Sequence, residues 1–421
     1  MPGIGLRFLL LAGIACFLFV GAIPTAANDP FLLNDYALEF LKKQEYEKAL
    51  EHFQKAFNMF PYNATLKRNL AEAYSYVGKR QMDRNAYDEA ASNFGHAREL
   101  FPDEGKYGVM RGIALYSAKN YDAALFELER ARHLGEETVE TLFFLGRVHY
   151  DTGNLPGALE VWGKALTIDP SNRRVADELE KARRESRVEG GMDKGYSSRF
   201  SIAHDVETRS DLADGVLEVL EEAFNQVGSD LSHFPSARIP VILYTRKDYR
   251  SVTNSPGWSA GLYDGKIRLP VGGATEVSPF LKAVLYHEYT HVVVHELTAG
   301  HCPTWLNEGL AELEERKVRE SELSELAQAA RQNRFIPFSR LEGSFSGFTA
   351  QEAVLAYQQS FSLVDYMIAT YGWYKVRDIL VNLGRGLSVA AAISRALHDF
   401  GLDYAAVVEE WRTSTIRKYS R

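Results

Sequence analysis

The amino-acid sequence predicts an α+β protein in two parts: an all-α repeat solenoid, then an α+β domain whose C-terminal part is helical. Three observations predict it. Four segments align without gaps: YEKALEHFQKAF (46–57), YDEAASNFGHAR (87–98), YDAALFELERAR (121–132) and LPGALEVWGKAL (155–166). Beyond a charged, Gly-containing stretch near residue 190 the pattern turns strand-like, and from residue 277 onward it is helical again. The 421 residues exceed what one hydrophobic core usually organises, so two or more domains are expected.

The chain opens MPGIGLRFLLLAGIACFLFVGAIPTAAND, with one Arg, an unbroken apolar run over 8–23, and small residues at 25 and 27 that suit signal peptidase. Residues 1–27 are therefore expected to be a signal peptide and the rest exported, with a bacterial periplasm the expected location. Left uncleaved, the same segment is an inner-membrane anchor, although the run is shorter than the ~20 residues a spanning helix needs. Removal of the segment takes Cys16 away and leaves Cys302 as the only thiol, so no disulfide forms within the mature chain. A net charge of −8 gives no basic footprint and speaks against a nucleic-acid partner.

In the aligned segments Ala49, Ala90, Ala124 and Ala158 are followed four residues on by Phe53, Phe94, Leu128 and Trp162. A second small residue comes three further, at Ala56, Ala97, Ala131 and Ala165. That spacing places small and bulky residues on one helical face, where the small ones let a neighbouring helix approach and the large one fills the gap. Gly112, Leu145 and Gly146 are expected where the preceding helix packs closely. Pro61, Pro102 and Pro170 each stop a helix. The pattern resembles the tetratricopeptide repeat: about four helix pairs over 30–182, a longer first helix in the second unit, and a polar capping helix over 173–185. Such arrays usually present a concave surface to a peptide or protein, so a protein partner is expected there. Asn63-Ala64-Thr65 has the form of a glycosylation acceptor but reads as a turn.

Residues 183–196 are expected to be a linker and 197–421 a second domain. RFSIAHDV and IPVILYTR read as strands on either side of a helix over about 210–228, and GLYDGKIRLPV as a hairpin turning at Asp264-Gly265. Pro270 favours an edge position for the strand over 266–271. Thr349 and Glu352 form a capping box, and glycines at 372, 384 and 401 mark helix stops.

The stretch LYHEYTHVVVHELTAGHCPTWLNEGLAE holds four of the chain's eleven histidines. His287 and His291 lie four apart, about 40° around a helix and ~6 Å along it, so both imidazoles can converge on one ion. Glu288 sits beside them, able to take a proton from an attacking water. His295 is ~12 Å along the helix from His287 and does not readily share that ion. Val292-Val293-Val294 points three ways, so the helix is buried on nearly all sides, where bare imidazoles are costly. A catalytic zinc site needs a third protein ligand and an open position. Gly300 can end this helix and Pro303 suits the first turn of the next, which folded back brings Glu308 towards the histidines, with Glu312 one turn on to orient a ligand imidazole from behind.

HEYTH followed by WLNEGLAE resembles the gluzincin metallopeptidases, most closely their small bacterial peptidase-MA-like members. The resemblance covers about 197–421 and implies a zincin-like fold, one zinc per chain held by His287, His291 and Glu308, and Glu288 as general base. AYQQSFSLVDYM at 356–367 resembles the segment that supplies an oxyanion-stabilising tyrosine in aminopeptidase N relatives, which makes Tyr357 the candidate. The Gly-Ala-Met-Glu-Asn element that holds a substrate amino terminus in those relatives is missing, and sixteen residues separate His291 from Glu308, slightly fewer than usual. The implied activity is hydrolysis of peptide bonds in a peptide or protein substrate, which could pair with the strand over 266–271. Cys302 is expected to be a small buried residue. The competing expectation is a non-catalytic envelope scaffold in which the zinc fold is structural or degenerate.

Overall fold

The computed structural model describes residues 29–205, 210–253 and 260–420; the expected signal segment, 1–27, lies outside them. The chain divides into two compact units at Val77 and Gly78. No helix of the described residues is long and apolar enough to cross a membrane.

The first unit holds α1 (Pro30–Lys42), α2 (Tyr46–Met59) and most of α3 (Ala64–Met82). Asp29 caps α1 by accepting from the Phe31 amide at 2.9 Å. Ala49, Phe53 and Ala56 of α2 are fully buried. Asn63 accepts from the amides of Thr65 and Leu66, both at 3.0 Å, so the acceptor-like tripeptide is the cap of α3.

The second unit continues with α4 (Tyr87–Leu100), α5 (Gly105–Ser117), α6 (Tyr121–His133), α7 (Val139–Asp151), α8 (Leu155–Ile168) and α9 (Arg173–Glu189). The small-then-large spacing does what it predicts. A Cβ on Gly146 would lie 2.1 Å from the indole nitrogen of Trp162, so the helix pair closes only because that position has no side chain. The same indole donates to the Phe143 carbonyl at 3.1 Å. Asn85, Lys119 and Gly153 follow one another at the repeat interval, and each takes a left-handed backbone conformation in the turn between paired helices (φ 58°, 60° and 79°).

A five-stranded sheet follows, built from β1 (Asp193–Tyr196), β2 (Phe200–His204), β3 (Ile239–Tyr244), β4 (Leu262–Tyr263) and β5 (Ile267–Pro270) in the order β1-β2-β3-β5-β4. The central pairs β2–β3 and β3–β5 are parallel and the outer pairs antiparallel. The connections use α10 (Ser210–Leu231) and α11 (Arg246–Thr253). Strand alternation puts Phe200, Ile202, Val241, Leu243, Ile267 and Leu269 into the main core with α10 and α12 (Pro279–Thr298). Ala203, Ile242 and Tyr244 face the other way, onto Tyr249 and Val252 of α11. The remainder is helical: α13 (Thr304–Val318), α14 (Ser324–Gln332), α15 (Phe338–Leu341), α16 (Ala350–Tyr371), α17 (Trp373–Gly384), α18 (Val389–Ala396) and α19 (Tyr404–Tyr419). The capping box of Thr349 and Glu352 starts α16. An all-helical repeat region thus precedes a mixed α+β domain that ends in helices.

Two expectations are corrected. Residues 183–196 are not a linker but the last turns of α9 and strand β1, which pairs antiparallel with β2. The strand over 266–271 is not at the edge, because β5 lies between β3 and β4. Its proline is tolerated because β4 pairs only with Ile267 and Arg268; Pro270 lies past its end, and the neighbouring Val271 amide donates to Tyr244 on the opposite side.

The reason the linker reading fails is electrostatic. Lys266 and Arg268 stand on the polar face of β5, where they look solvated, yet both are buried (3% and 0% exposed). Glu185 and Glu189, four apart on α9, cover them. Arg268 reaches Glu185 at 2.7 Å, Glu189 at 3.0 Å and Asp264 at 2.9 Å, Lys266 reaches Glu185 at 2.7 Å, and Lys181 reaches Asp264 at 2.8 Å. The hydroxyls of Tyr150 on α7 and Tyr244 on β3 donate to Glu185 and Glu189 respectively. A second tie joins Lys119 in the α5–α6 turn to Glu296 on α12, whose other oxygen meets Nε2 of His233 at 2.9 Å.

Burial works against the charges of Asp264 and Glu296, but Arg268 and Lys181 around the first, and His233 and Lys119 around the second, outweigh it and hold both carboxyls below their usual range. A carboxylate with a depressed folded-state pKa stabilises the fold above its ordinary pKa, and that stabilisation is lost as pH falls through the depressed value. The melting temperature is therefore expected to fall steeply below about pH 4, and Asp264→Asn to flatten that dependence. A pH series of thermal melts checks it; identical slopes for the two chains would remove Asp264 as a cause.

Candidate metal centre

Helix α12 begins at Ser278, whose hydroxyl accepts from the Leu281 amide at 3.1 Å, and runs through HEYTH to Ala299, which closes it in a left-handed conformation (φ 49°). Pro303 then caps α13, which returns antiparallel enough to set Glu308 over the histidines. Nε2 of His287 and Nε2 of His291 lie 3.5 and 3.6 Å from the same Glu308 oxygen. The three donor atoms fall within 4.8 Å of one another, a grouping able to hold a metal ion.

The outer nitrogen of each ring is engaged. Nδ1 of His287 meets Glu315 at 2.9 Å, and Nδ1 of His291 meets the Asn307 side-chain oxygen at 3.0 Å. With Nδ1 engaged from behind, Nε2 of each ring faces Glu308, the orientation a ligand histidine needs. Burial lowers the His291 pKa, whereas at His287 burial is outweighed by hydrogen bonds to Glu308 and Glu315, which raise it. Glu312, expected in that orienting role, lies near His287 but accepts from Arg316 at 3.1 Å. Glu315 is seven residues from Glu308, two helical turns and ~20° short of the same direction, whereas Glu312 is ~40° off it. Glu315 and Asn307 were missed in the sequence; the seven-residue spacing was the signal for the first, and nothing local marks the second.

Glu288 lines the same cavity, which measures about 500 Å³ and also takes in Glu312, Tyr357 and Cys302. Burial pushes the Glu288 carboxyl up to about 7, and its Oε2 has no hydrogen-bond partner among the described residues. The carboxyl is packed against the backbone of Gly261, just before β4: a Cβ there would lie 2.5 Å from Oε1. Gly261→Ala is thus expected to push the Glu288 carboxyl aside and lower turnover about ten-fold or more with metal content unchanged; a variant with full activity would show that the contact is slack.

Tyr357 comes from α16, with Phe345 edge-on to its ring at 5.4 Å. Burial, reinforced by Glu308 and Glu312, raises its pKa, so the phenol keeps its proton as a donor. Cys302 is half-buried, and burial with Glu308 nearby raises its pKa, so it remains a thiol. His295 is exposed and lies edge-on to Tyr263 at 5.8 Å, away from the three-residue group. Every site residue expected from the sequence lines this one cavity.

Comparison with known proteins finds relatives for both the repeats and the domain that follows them. Residues 235–417 match the Peptidase MA superfamily, and residues 78–132 and 109–173 match the tetratricopeptide repeat. A tetratricopeptide-repeat region therefore precedes a domain of the Peptidase MA superfamily. Among curated proteins, small glutamine-rich tetratricopeptide repeat-containing protein 2 of Mycosarcoma maydis is 26% identical over 102 residues, covering 24% of this chain and 29% of that protein. BBSome complex member BBS4 of Mus musculus is 25% identical over 143 residues, 34% of this chain and 26% of that one. The chain thus spans less than a third of the length of these relatives. Among solved structures, YrrB, described as a TPR protein with an unusual peptide-binding site, is 24% identical, covers 38% of this chain and 78% of its own, and has a TM-score of 0.31.

Proposed function

We propose that the protein is an exported zinc-dependent metallopeptidase that hydrolyses peptide bonds, with the repeat region binding a protein partner or substrate. The observation that carries the reading is the convergence of His287, His291 and Glu308, with both imidazoles held from behind and Glu288 in the same cavity. Two histidines and one carboxylate are the donor set a catalytic zinc takes while keeping a position open. Zinc held there would polarise the scissile carbonyl and make an attacking water more acidic. Glu288 takes the proton from that water and returns it to the leaving amine, a task suited to a carboxyl whose burial raises its proton affinity. Tyr357 donates its phenolic proton in a hydrogen bond to the developing oxyanion. Export is supported by the apolar run over 8–23, with an uncleaved inner-membrane anchor as the other fate of that segment.

Metal content tests the reading. The chain from Asn28 onward is expected to carry about one zinc by elemental mass spectrometry, and His287→Ala and Glu308→Ala each to lose or weaken it. A chain that stays free of zinc after reconstitution would return the weight to a scaffold. Export is checked by fractionating cells for the protein, where a cytosolic pool of full-length chain would count against it.

A further inference from the structure

A second cleft lies beside the cavity of the candidate metal centre. Tyr263 and His295 both line the first cavity, their rings edge to face. The next residue of α12, Glu296, is paired with Lys119, and Lys119 lines the other cleft, of about 660 Å³. One side of that cleft is formed by the repeat turns 119–122 and 151–156, and the other by the outer face of β1, β2 and β3. Tyr263 lines the first cavity and Lys266, three residues along the β4–β5 hairpin, lines the second. Tyr263 and Lys266 are the two ends of the turn at Asp264-Gly265, within about 7 Å of each other. A peptide lying across the metal centre past Tyr263 therefore arrives at the second cleft within a few residues.

The lip of the cleft has a definite chemistry. Lys194 and Tyr196 stand two apart on one face of β1, and the Arg238 guanidinium lies over the Tyr196 ring, 5.7 Å from its centre. Tyr196 is 63% exposed, a large aromatic left in water on the outermost strand of the sheet. Lys194 and Arg238 are exposed, and neither forms an ion pair with another described residue. Of the carboxylates in the cleft, Asp151 is held by Tyr116 and Arg147, and Glu189 by Arg268; Asp122 alone stands against the two cations. The site combines free positive charge, an aromatic platform and a strand with one unpaired side, features suited to an extended acidic peptide.

We propose that this cleft binds the continuation of an extended polypeptide substrate, one with acidic residues on the Tyr263 side of the scissile bond. The inference rests on the peptidase reading, and it makes the substrate class an unfolded chain segment of a protein instead of a dipeptide or a single terminal residue. The repeats then contribute half of a binding cleft through their turns.

The test uses the full chain with Glu288→Gln, loaded with zinc, and fluorescence anisotropy of two labelled peptides. One is a core of about six residues, the other the same core extended to about sixteen, with glutamates in the extension, long enough at ~3.3 Å per residue to enter the second cleft. The long peptide is expected to bind about ten-fold tighter or better, and Lys194→Glu with Arg238→Glu to bring its affinity down to that of the core. Equal affinity for the two lengths, or a charge-reversed chain that still prefers the long peptide, overturns the proposal. Wild-type turnover separates the two readings. Length-dependent binding with no cleavage of any peptide would leave the cleft assigned and the peptidase reading without support. Cleavage of long and short peptides with equal kcat/KM, unchanged by the charge reversal, would do the opposite.

Discussion

Replacing Glu288 with Gln is expected to lower peptide hydrolysis by about 10² to 10⁴-fold while zinc content and fold are retained. The change keeps the shape of a side chain packed against Gly261 and removes only the basic oxygen. Stability should not fall, because the carboxylate is buried with one oxygen unpartnered, and a neutral amide relieves that unpaired charge. Turnover, bound zinc and melting temperature measured together check it. Activity within a few-fold of wild type, with zinc present, would take the general-base role away from Glu288.

The second large effect lies far from the metal. Glu185→Ala is expected to destabilise the second unit by about 3–5 kcal/mol, because it strips a carboxylate from Arg268 and Lys266 where neither reaches water. The charge cluster holds three cations, Lys181, Lys266 and Arg268, and three carboxylates, Glu185, Glu189 and Asp264, with Lys181 and Asp264 at its partly exposed margin. Removal of one carboxylate leaves three charges against two. Removal of Arg268 together with Glu185, both to Met, leaves two against two, and that double variant should cost less than the single one. Urea unfolding of the two chains decides it. A double variant less stable than Glu185→Ala would mean that Arg268 contributes through its contacts to Tyr150 and Tyr244 more than through its charge.

The site was largely legible in the sequence because its parts are local. His287, Glu288 and His291 are fixed relative to one another by one helical turn, and Glu308 needed only a short loop and a helix running back. The repeats were legible for the same reason: Gly146 and Trp162 are sixteen residues apart and answer each other in size. What escaped depends on partners distant in sequence. Lys266 and Arg268 alternate with Ile267 and Leu269, as in any strand with one wet face, and nothing nearby says that α9 will cover that face. Glu185 and Glu189 sit in a run of charges that has the composition of a linker, and only their counter-charges some eighty residues on make the run a helix worth burying. β4 has two residues and carries no periodicity at all, yet its presence is what moves β5 from the edge to the interior.

The shared helix α9 also sets what the gene can tolerate. Its inner face serves two masters, stacking on α8 as the end of the repeat region and neutralising β5 as part of the sheet. Recombination that joined a different repeat array at residue 197 would deliver a sheet with a bare arginine and lysine at its centre. Because Asn85 and Lys119 also reach Gly384 and Glu296, the block that should travel with the Peptidase MA domain runs from the α3–α4 turn to α9, and lineages are free to gain or lose repeats only ahead of it.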